Sequence, residues 1–462
     1  MHDISMGQPE KGSFLGLFIS PFSMILFVYL ACMISVSFDI PAIHDAAILA
    51  RWPILGLMAL VGLVPAITHG VVRSTPILWM GIFLLVAGLS SLWTIDFEYT
   101  AMRVFSLILL YIAALIGWAS YVRTPRHASN VFDVLFLIAS LTAVGGFLFR
   151  MGDLGGEGRY VGLHNRATGA GSYAALFLPI IIYQARYRFR GLPAIFSWMV
   201  IFALLGQIVL SGARVALVVS LLVCFALWFD FYGKRALVAL ILLSVIAPIP
   251  IILDQRQADK VEERSRRLIR AESLGTFTGR LDRWKFGIEK WTERPIIGFG
   301  FGSSRTLASI DQPWRFRLEP GEVFNLHSDQ VEALLDLGVM GATPFVLFWI
   351  SVGLLAWKII LRPRDEARQR GIAALGGTVY AFADTFMHGG FLAAGGGVSS
   401  FSWMMVAILS TMALSPIRSA DDDHHTTPPP RETRPRSARP ARQARQVRRE
   451  TLPSVSSILP VR

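Results

Sequence analysis

Long apolar runs separated by short polar connectors follow one another along most of this chain. A helix of about 20 apolar residues crosses a hydrocarbon layer of about 30 Å. The pattern therefore predicts an all-α, polytopic membrane protein with about twelve transmembrane helices and one large periplasmic loop. The predicted helices are residues 14–38, 46–68, 76–92, 101–121, 131–149, 169–185, 192–211, 213–231, 236–253, 327–357, 371–387 and 397–415.

The same pattern divides the chain into five segments. Residues 1–13 are predicted as a cytoplasmic N-terminus, 14–253 as helices one to nine, 254–326 as the periplasmic loop and 327–415 as the last three helices. Residues 416–462 are rich in Pro and Arg and lack apolar periodicity, which predicts a disordered cytoplasmic tail. This basic tail is interpreted as a topology determinant that contacts anionic lipid headgroups, and a specific partner site is the alternative.

The connectors alternate in charge along the chain. DIPAIHD and WTIDFEY are acidic, whereas HGVVRST, VRTPRHASN, RYRFRG, FYGKR and KIILRPRDEARQR are basic. The positive-inside rule assigns the basic set to the cytoplasm, which places both termini inside and the large loop outside. We therefore expect a multi-pass membrane protein with its functional site on the outer side.

Composition supports this class of protein and excludes others. Of 462 residues, 53% are hydrophobic and 16% are charged, and the mean hydropathy is +0.51. A net charge of +12 would suggest nucleic acid in a soluble protein, but here it must first be divided between the two sides of the membrane. Cys32 and Cys224 lie inside apolar runs, so neither a disulfide framework nor a metal site is indicated.

Several arginines are placed against the topology rule, at the outer ends of predicted helices. A basic outward basin attracts phosphate groups or polyanions, which the planar guanidinium binds through paired donors. Arg214 stands in SGARVAL, where small neighbours leave room for a ligand, although snorkelling to the headgroups would also explain it. These arginines are Arg51, Arg103, Arg150, Arg159, Arg166 and Arg214.

His327 opens the apolar helix after the large loop and is a candidate for catalysis, although a histidine at a helix end is often structural. At about 100° per residue, three carboxylates project from the other side of that helix, so we expect them to pair with arginines of the loop. The carboxylates are those of Asp329, Glu332 and Asp336.

Three further stretches carry candidate chemistry. GFGFG at 298–302 lacks the βαβ context of a dinucleotide site, and we expect Ile296, Ile297, Phe299 and Phe301 to dip into the membrane surface. Asp384 is an intramembrane carboxylate with His388 one turn later; it is either functional or paired with an arginine between helices. Asn165 and Arg166 open a helix; capping explains the Asn, and only the accompanying Arg suggests a ligand.

The order of these motifs resembles the O-antigen ligase superfamily, which includes Wzy-type and exopolysaccharide polymerases. The resemblance is carried by SGAR before an outer-face helix, a large outer loop with GRxxxW and ERPIIGFGFG, and a histidine that leads into a helix ending in LGVMG. It covers the layout of residues 76–415, and its specific part is 279–341. Members usually have HN after the loop, where this chain has LHS, so the role of Ser328 is open.

The resemblance implies a location in the bacterial inner membrane with the active site facing the periplasm, together with a chemistry and a set of partners. It implies transfer of a glycan from an undecaprenyl diphosphate carrier to an acceptor hydroxyl in the periplasm, with inversion and without a metal. His327 would be the catalytic residue, Arg214 and Arg280 would bind the diphosphate, and Arg166, Asn165 and Asp384 are further substrate-binding candidates. The acceptor would be a lipid A core for a ligase or another carrier-linked repeat for a polymerase. No cofactor or nucleic acid is expected, and a glycolipid flippase is the remaining alternative, although no internal repeats indicate one.

Overall fold

Helices account for nearly all regular structure in the computed structural model, which describes residues 21–150, 159–233, 278–311 and 324–416. No strand occurs among these residues; a single bridge joins Phe38 and His164. The helices are α1 (Pro21–Ser35), α2 (Pro41–His69), α3 (Thr75–Leu92), α4 (Phe97–Tyr121), α5 (Pro125–Arg150), α6 (Ala167–Tyr183), α7 (Leu192–Ser211), α8 (Arg214–Tyr232), α9 (Thr278–Trp291), α10 (Ser303–Asp311), α11 (Asp329–Leu361), α12 (Glu366–Met387) and α13 (Gly397–Leu414).

Every predicted apolar run except 236–253 coincides with one of these helices. That run lies outside the described residues, as do the basic tail beyond residue 416 and part of the predicted loop. Eight described helices are long and apolar enough to cross a membrane, namely α2, α3, α4, α5, α7, α8, α11 and α13. The chain is therefore a multi-pass membrane protein, while the count of twelve spans stays a prediction.

Helix connections gather at two opposite ends of the bundle. At one end, Arg368 forms an ion pair of 2.6 Å with Asp230, and Arg188 forms one of 2.6 Å with Asp133. The connectors predicted as cytoplasmic meet here, since Arg123 also donates to the carbonyl of His69. We call this the basic end, and the end that contains His327 the His327 end.

Helix α11 is broken one-third of the way along, at Gly338, whose φ of 61° and ψ of −161° are not helical. A break of this kind leaves backbone N–H and C=O groups without their helical partners. The loop that follows α9 lies in the break and supplies them. Val339 N–H donates to Pro295 O at 2.9 Å, and Gly300 N–H donates to Asp336 O at 2.7 Å.

The inserted loop corrects the expectation for the GFGFG stretch. Phe299 and Phe301 are buried in the protein, with 6% and 0% exposure, whereas Ile296 is 69% exposed. Phe301 packs edge-on against Phe83 of α3, with 6.0 Å between ring centroids. The backbone of Gly298 lies so close to Asp336 that a side chain would overlap it, which explains the glycine. The two phenylalanines therefore fasten the loop to the bundle.

The three carboxylates of α11 also have partners other than those expected. Glu332 forms a 2.5 Å ion pair with Arg103 of α4, not with an arginine of the loop. Asp336 accepts from the N–H groups of Gly302 and Ser304, at 2.6 and 2.9 Å. Asp329 accepts from Phe391 N–H at 3.0 Å. Together they bind α4, the inserted loop and the α12–α13 connection to the first half of α11.

Candidate active site

Helix α9 holds the short segment that precedes α11. The indole N–H of Trp284 donates to Leu326 O at 3.0 Å, and Nη1 of Arg283 donates to Asn325 O at 2.7 Å. Phe286 packs edge-on against Phe324, with 5.7 Å between ring centroids. Because Arg280, Arg283 and Trp284 are spaced by three and four residues, they lie on one face of α9. This face is directed at His327.

The backbone of His327 is strained. Its φ of 57° is the only positive value at a non-glycine residue in the described part of the chain. The side chain of Asn325 accepts a 2.6 Å hydrogen bond from His327 N–H, and Ser328 caps α11 by accepting from Val331 N–H. Left-handed backbone of this kind costs about 1–3 kcal/mol and is found where a side chain must be aimed. Here it directs the imidazole away from the helix axis toward α9.

The imidazole of His327 is neutral at physiological pH. Burial, with smaller contributions from the charges of Arg283, Arg280 and His388, lowers its pKa to about 4. Nη1 of Arg283 lies 3.3 Å from its Nε2 atom, and the ring also bonds to the backbone of His388. Since a guanidinium only donates, Nε2 is the accepting nitrogen.

The end of α12 completes the site with Asp384 and His388. Nδ1 of His388 lies 2.8 Å from Oδ1 of Asp384, and the hydroxyl oxygen of Tyr380 lies 3.3 Å from the same Oδ1. The guanidinium of Arg280 is close enough to Asp384 for their charges to interact, and its Nη1 lies 3.9 Å from the sulfur of Met387. Asp384 thus lies in this cluster and near an arginine, and its substrate-binding role stays a prediction.

Arg214, Asn165 and Arg166 lie at helix starts of the same end. A tight turn joins α7 to α8 as expected, with Gly212 left-handed at φ 60°. Nε of Arg159 donates to Ser211 O in this turn at 2.6 Å. Gly171 of α6 packs against the turn, and the next residue of α6, Ser172, accepts a 2.6 Å hydrogen bond from Tyr380. The side chains of Arg214, Asn165 and Arg166 are exposed.

The capping explanation of Asn165 is not supported. The cap position of α6 is Arg166, and no side chain caps this helix. Asn165 instead uses its backbone N–H, which donates to Ser37 O at 2.7 Å. Its neighbour His164 is buried, stacks on Tyr173 with 4.7 Å between ring centroids, and bonds to Ser37. Binding of a ligand by Asn165 and Arg166 stays a prediction.

The structure thus brings together His327, Arg280 and Asp384 from the sequence-based candidates and adds Arg283 and His388. Arg283 has a signal in the sequence, because it follows Arg280 by three residues and so shares its helix face. His388 follows Asp384 by one helical turn, the spacing at which the two side chains meet. Neither spacing identifies a site until α9 and α12 are known to converge. Among the described residues, no three His, Cys, Asp or Glu side chains are grouped to hold a metal ion.

Comparison with known protein families gives a match. Residues 194–346 match the family model described as O-antigen ligase. The matched stretch begins in α7, includes Arg214, Arg280 and His327, and ends just after the break in α11. Asp384 and His388 lie beyond it. No curated protein matches the chain.

Proposed function

Because residues 194–346 match the O-antigen ligase family model, we propose that the chain is a membrane glycosyltransferase of this superfamily acting at the periplasmic face. It transfers a glycan from an undecaprenyl diphosphate carrier to an acceptor hydroxyl. The observation that carries this proposal is the pair of arginines on one face of α9, set against a neutral imidazole. Arginines suit a diphosphate, and a neutral imidazole suits a hydroxyl that must lose a proton.

The arginines can stabilise the negative charge that develops on the diphosphate during the reaction. When the bond between the anomeric carbon and the diphosphate oxygen breaks, its electron pair stays on the diphosphate, which becomes more negative. Arg280 and Arg283 have five donors each and keep their charge at any relevant pH. Preorganised donors aimed at developing charge are worth a factor of about 10² to 10³ in rate for each donor removed.

The acceptor side requires a base. The acceptor oxygen attacks the anomeric carbon on the face opposite the leaving diphosphate, which inverts the configuration, and its proton passes to an imidazole. His327 is the imidazole that the sequence singles out, and His388 is its neighbour. Bound diphosphate would offset the charges of Arg280 and Arg283, so we expect it to raise the pKa of His327 from about 4. A metal ion is not required in this scheme, and transfer should therefore persist in a chelator.

Carrier-linked material in deletion cells tests the function and separates its two forms. If the chain is a ligase, long glycans should accumulate on the carrier while the lipid A core stays bare. If it is a polymerase, single repeats should remain on the carrier instead. Accumulation only on the inner leaflet, with chain length unaltered, would point to transport and contradict the proposal.

A further inference from the structure

The Asp384–His388 pair has the geometry of a general-base dyad. The carboxyl side chain of Asp384 is 4% exposed, and the side chain of His388 is 26% exposed. An ionised carboxylate only accepts hydrogen bonds, so Nδ1 of His388 is the donor in their 2.8 Å contact. This fixes the tautomer in which Nε2 carries the lone pair. No hydrogen-bond partner of this Nε2 occurs among the described residues.

The accepting nitrogen of His327, in contrast to Nε2 of His388, already has a hydrogen-bond donor beside it. This nitrogen faces Nη1 of Arg283 at 3.3 Å, and the ring's other contact is the backbone of His388. A lone pair that already accepts from a guanidinium is a poor acceptor for a second proton. The arrangement suits a group that holds Arg283 in place.

The two imidazoles belong to one site. A Cβ atom placed on Gly389 would lie 3.1 Å from the backbone nitrogen of Ser328 and 3.4 Å from the carbonyl carbon of His327. The turn at the end of α12 therefore packs directly on the turn before α11. His388 and His327 therefore lie side by side in one cluster.

A buried tyrosine of the same helix lies beside the carboxylate and is itself bonded to α6. The hydroxyl of Tyr380 lies 3.3 Å from Oδ1 of Asp384 and donates to Ser172 of α6 at 2.6 Å. Tyr380 and Asp384 are 1% and 3% exposed. A base whose orienting carboxylate is itself fixed loses little entropy when it takes up the productive position.

We propose that His388, oriented by Asp384, receives the proton of the acceptor hydroxyl, while His327 positions Arg283 at the donor diphosphate. This inference rests on the proposed transferase function. The acceptor oxygen forms its bond to the anomeric carbon, and the bond between that carbon and the diphosphate oxygen breaks. The electron pair of the broken bond leaves with undecaprenyl diphosphate, and the proton moves to Nε2 of His388. Solvent at the exposed edge of the imidazolium then takes the proton.

The substitution His388→Asn tests the assignment. An asparagine amide N–H occupies nearly the position of Nδ1, so the bond to Asp384 is kept while the Nε2 base is removed. Purified protein in proteoliposomes receives lipid-linked glycans extracted from deletion cells. Transfer should fall by about a hundredfold or more, while binding of undecaprenyl diphosphate stays within a factor of about two, because the arginines remain.

His127→Asn is the matched control. His127 bonds through Nδ1 to the carbonyl of Tyr121 at 3.2 Å and lies at the basic end, so its replacement makes the same chemical change away from the site. His127→Asn should transfer normally. A His388→Asn protein that transfers at half the wild-type rate or better would overturn the inference. The role of proton acceptor would then be assigned to His327.

Added imidazole gives a second measurement that does not depend on how well asparagine fits. In His388→Ala, free imidazole should restore part of the lost rate in proportion to its unprotonated fraction, and it should do nothing for Arg283→Ala. Absence of rescue, together with unchanged undecaprenyl diphosphate binding, would contradict a base role. If wild-type protein itself transfers nothing from the extracted donors, the proposed function fails; if wild type transfers and His388→Asn equals it, only this inference fails.

Discussion

At the scale of single residues, the proposed diphosphate site should depend on the shape of three arginines as much as on their charge. Lysine keeps the charge but loses the paired donors that grip a diphosphate. Arg280→Lys and Arg283→Lys should each lower transfer by about a hundredfold in the proteoliposome assay, although the protein still inserts. Arg214→Lys should also lower it, and near-normal transfer would assign Arg214 to snorkelling at the headgroups.

Arg305→Lys is the control for this series. Arg305 is an exposed arginine of α10 that stacks on Tyr99, with 5.2 Å to the ring centroid. It lies at the His327 end but outside the cluster around α9 and α12. A loss of transfer in Arg305→Lys as large as in Arg280→Lys would mean that the assay reports general surface charge and not diphosphate binding.

Two neutral histidines make stability depend on pH. Burial lowers the pKa of His164 to about 3, and burial together with nearby arginines lowers that of His327 to about 4, against about 6.5 in an unfolded chain. At a pH between the folded-state and the unfolded-state pKa values, the unfolded chain binds protons that the folded chain does not. Stability is therefore fully present above about pH 6.5 and falls as the pH drops.

The thermal midpoint in detergent should consequently decrease as the pH falls from 7 to 5. For the fully buried His164 the loss is about 2 kcal/mol at pH 5, from about 1.4 kcal/mol per pH unit. His164→Phe keeps the stack on Tyr173 and removes the titration, so its midpoint should vary less steeply over this range. An identical slope in wild type and variant would contradict the assigned protonation state.

At the scale of elements, the break in α11 and the loop that fills it act as one unit. Gly298 combines a φ of 64° with backbone contact to Asp336, whereas Gly191 has the same φ of 64° and nothing within 4 Å. A positive φ strains an alanine at both positions. The additional cost at Gly298 reports the insertion of the loop into α11.

Gly298→Ala should therefore lower the thermal midpoint well beyond Gly191→Ala and abolish transfer, because the loop joins α9 to the helix that His327 opens. Gly191→Ala should lower the midpoint modestly and leave transfer intact. Circular dichroism in detergent and the proteoliposome assay measure both quantities. Equal effects of the two alanines would show that the backbone contact at Gly298 carries no energy.

At the scale of the whole molecule, the two ends of the bundle should face opposite sides of the membrane. A chain with Cys32 and Cys224 replaced by alanine gives a background without thiols. Ser309→Cys lies exposed on α10 at the His327 end, and Thr124→Cys lies exposed at the basic end. In intact spheroplasts an impermeant thiol reagent should label Ser309→Cys, and it should label Thr124→Cys only after permeabilisation. The reverse labelling pattern would show that the predicted topology is inverted.

Much of this architecture could be predicted from the chain alone, for a physical reason. A segment within the hydrocarbon layer must satisfy its own backbone, so a long apolar run becomes a helix whatever surrounds it. The helices, the grouping of basic connectors and the candidate His327 follow from local composition and order, whereas Arg280 is singled out only by the resemblance to the O-antigen ligase superfamily. Arg214 at a tight turn follows in the same way, from the small residues beside it.

Only the tertiary structure decided which of these groups meet. The loop residues Phe299 and Phe301 are apolar enough to be buried either in the membrane or in the protein. They are buried in the protein because the break in α11 accommodates the loop that carries them. Glu332 pairs with Arg103, more than two hundred residues earlier in the chain. His388 lies beside His327 because the turn after α12 packs on the turn before α11. Such partners depend on how distant helices pack, and the periodicity of one segment carries no information about the side chains that another segment places against it.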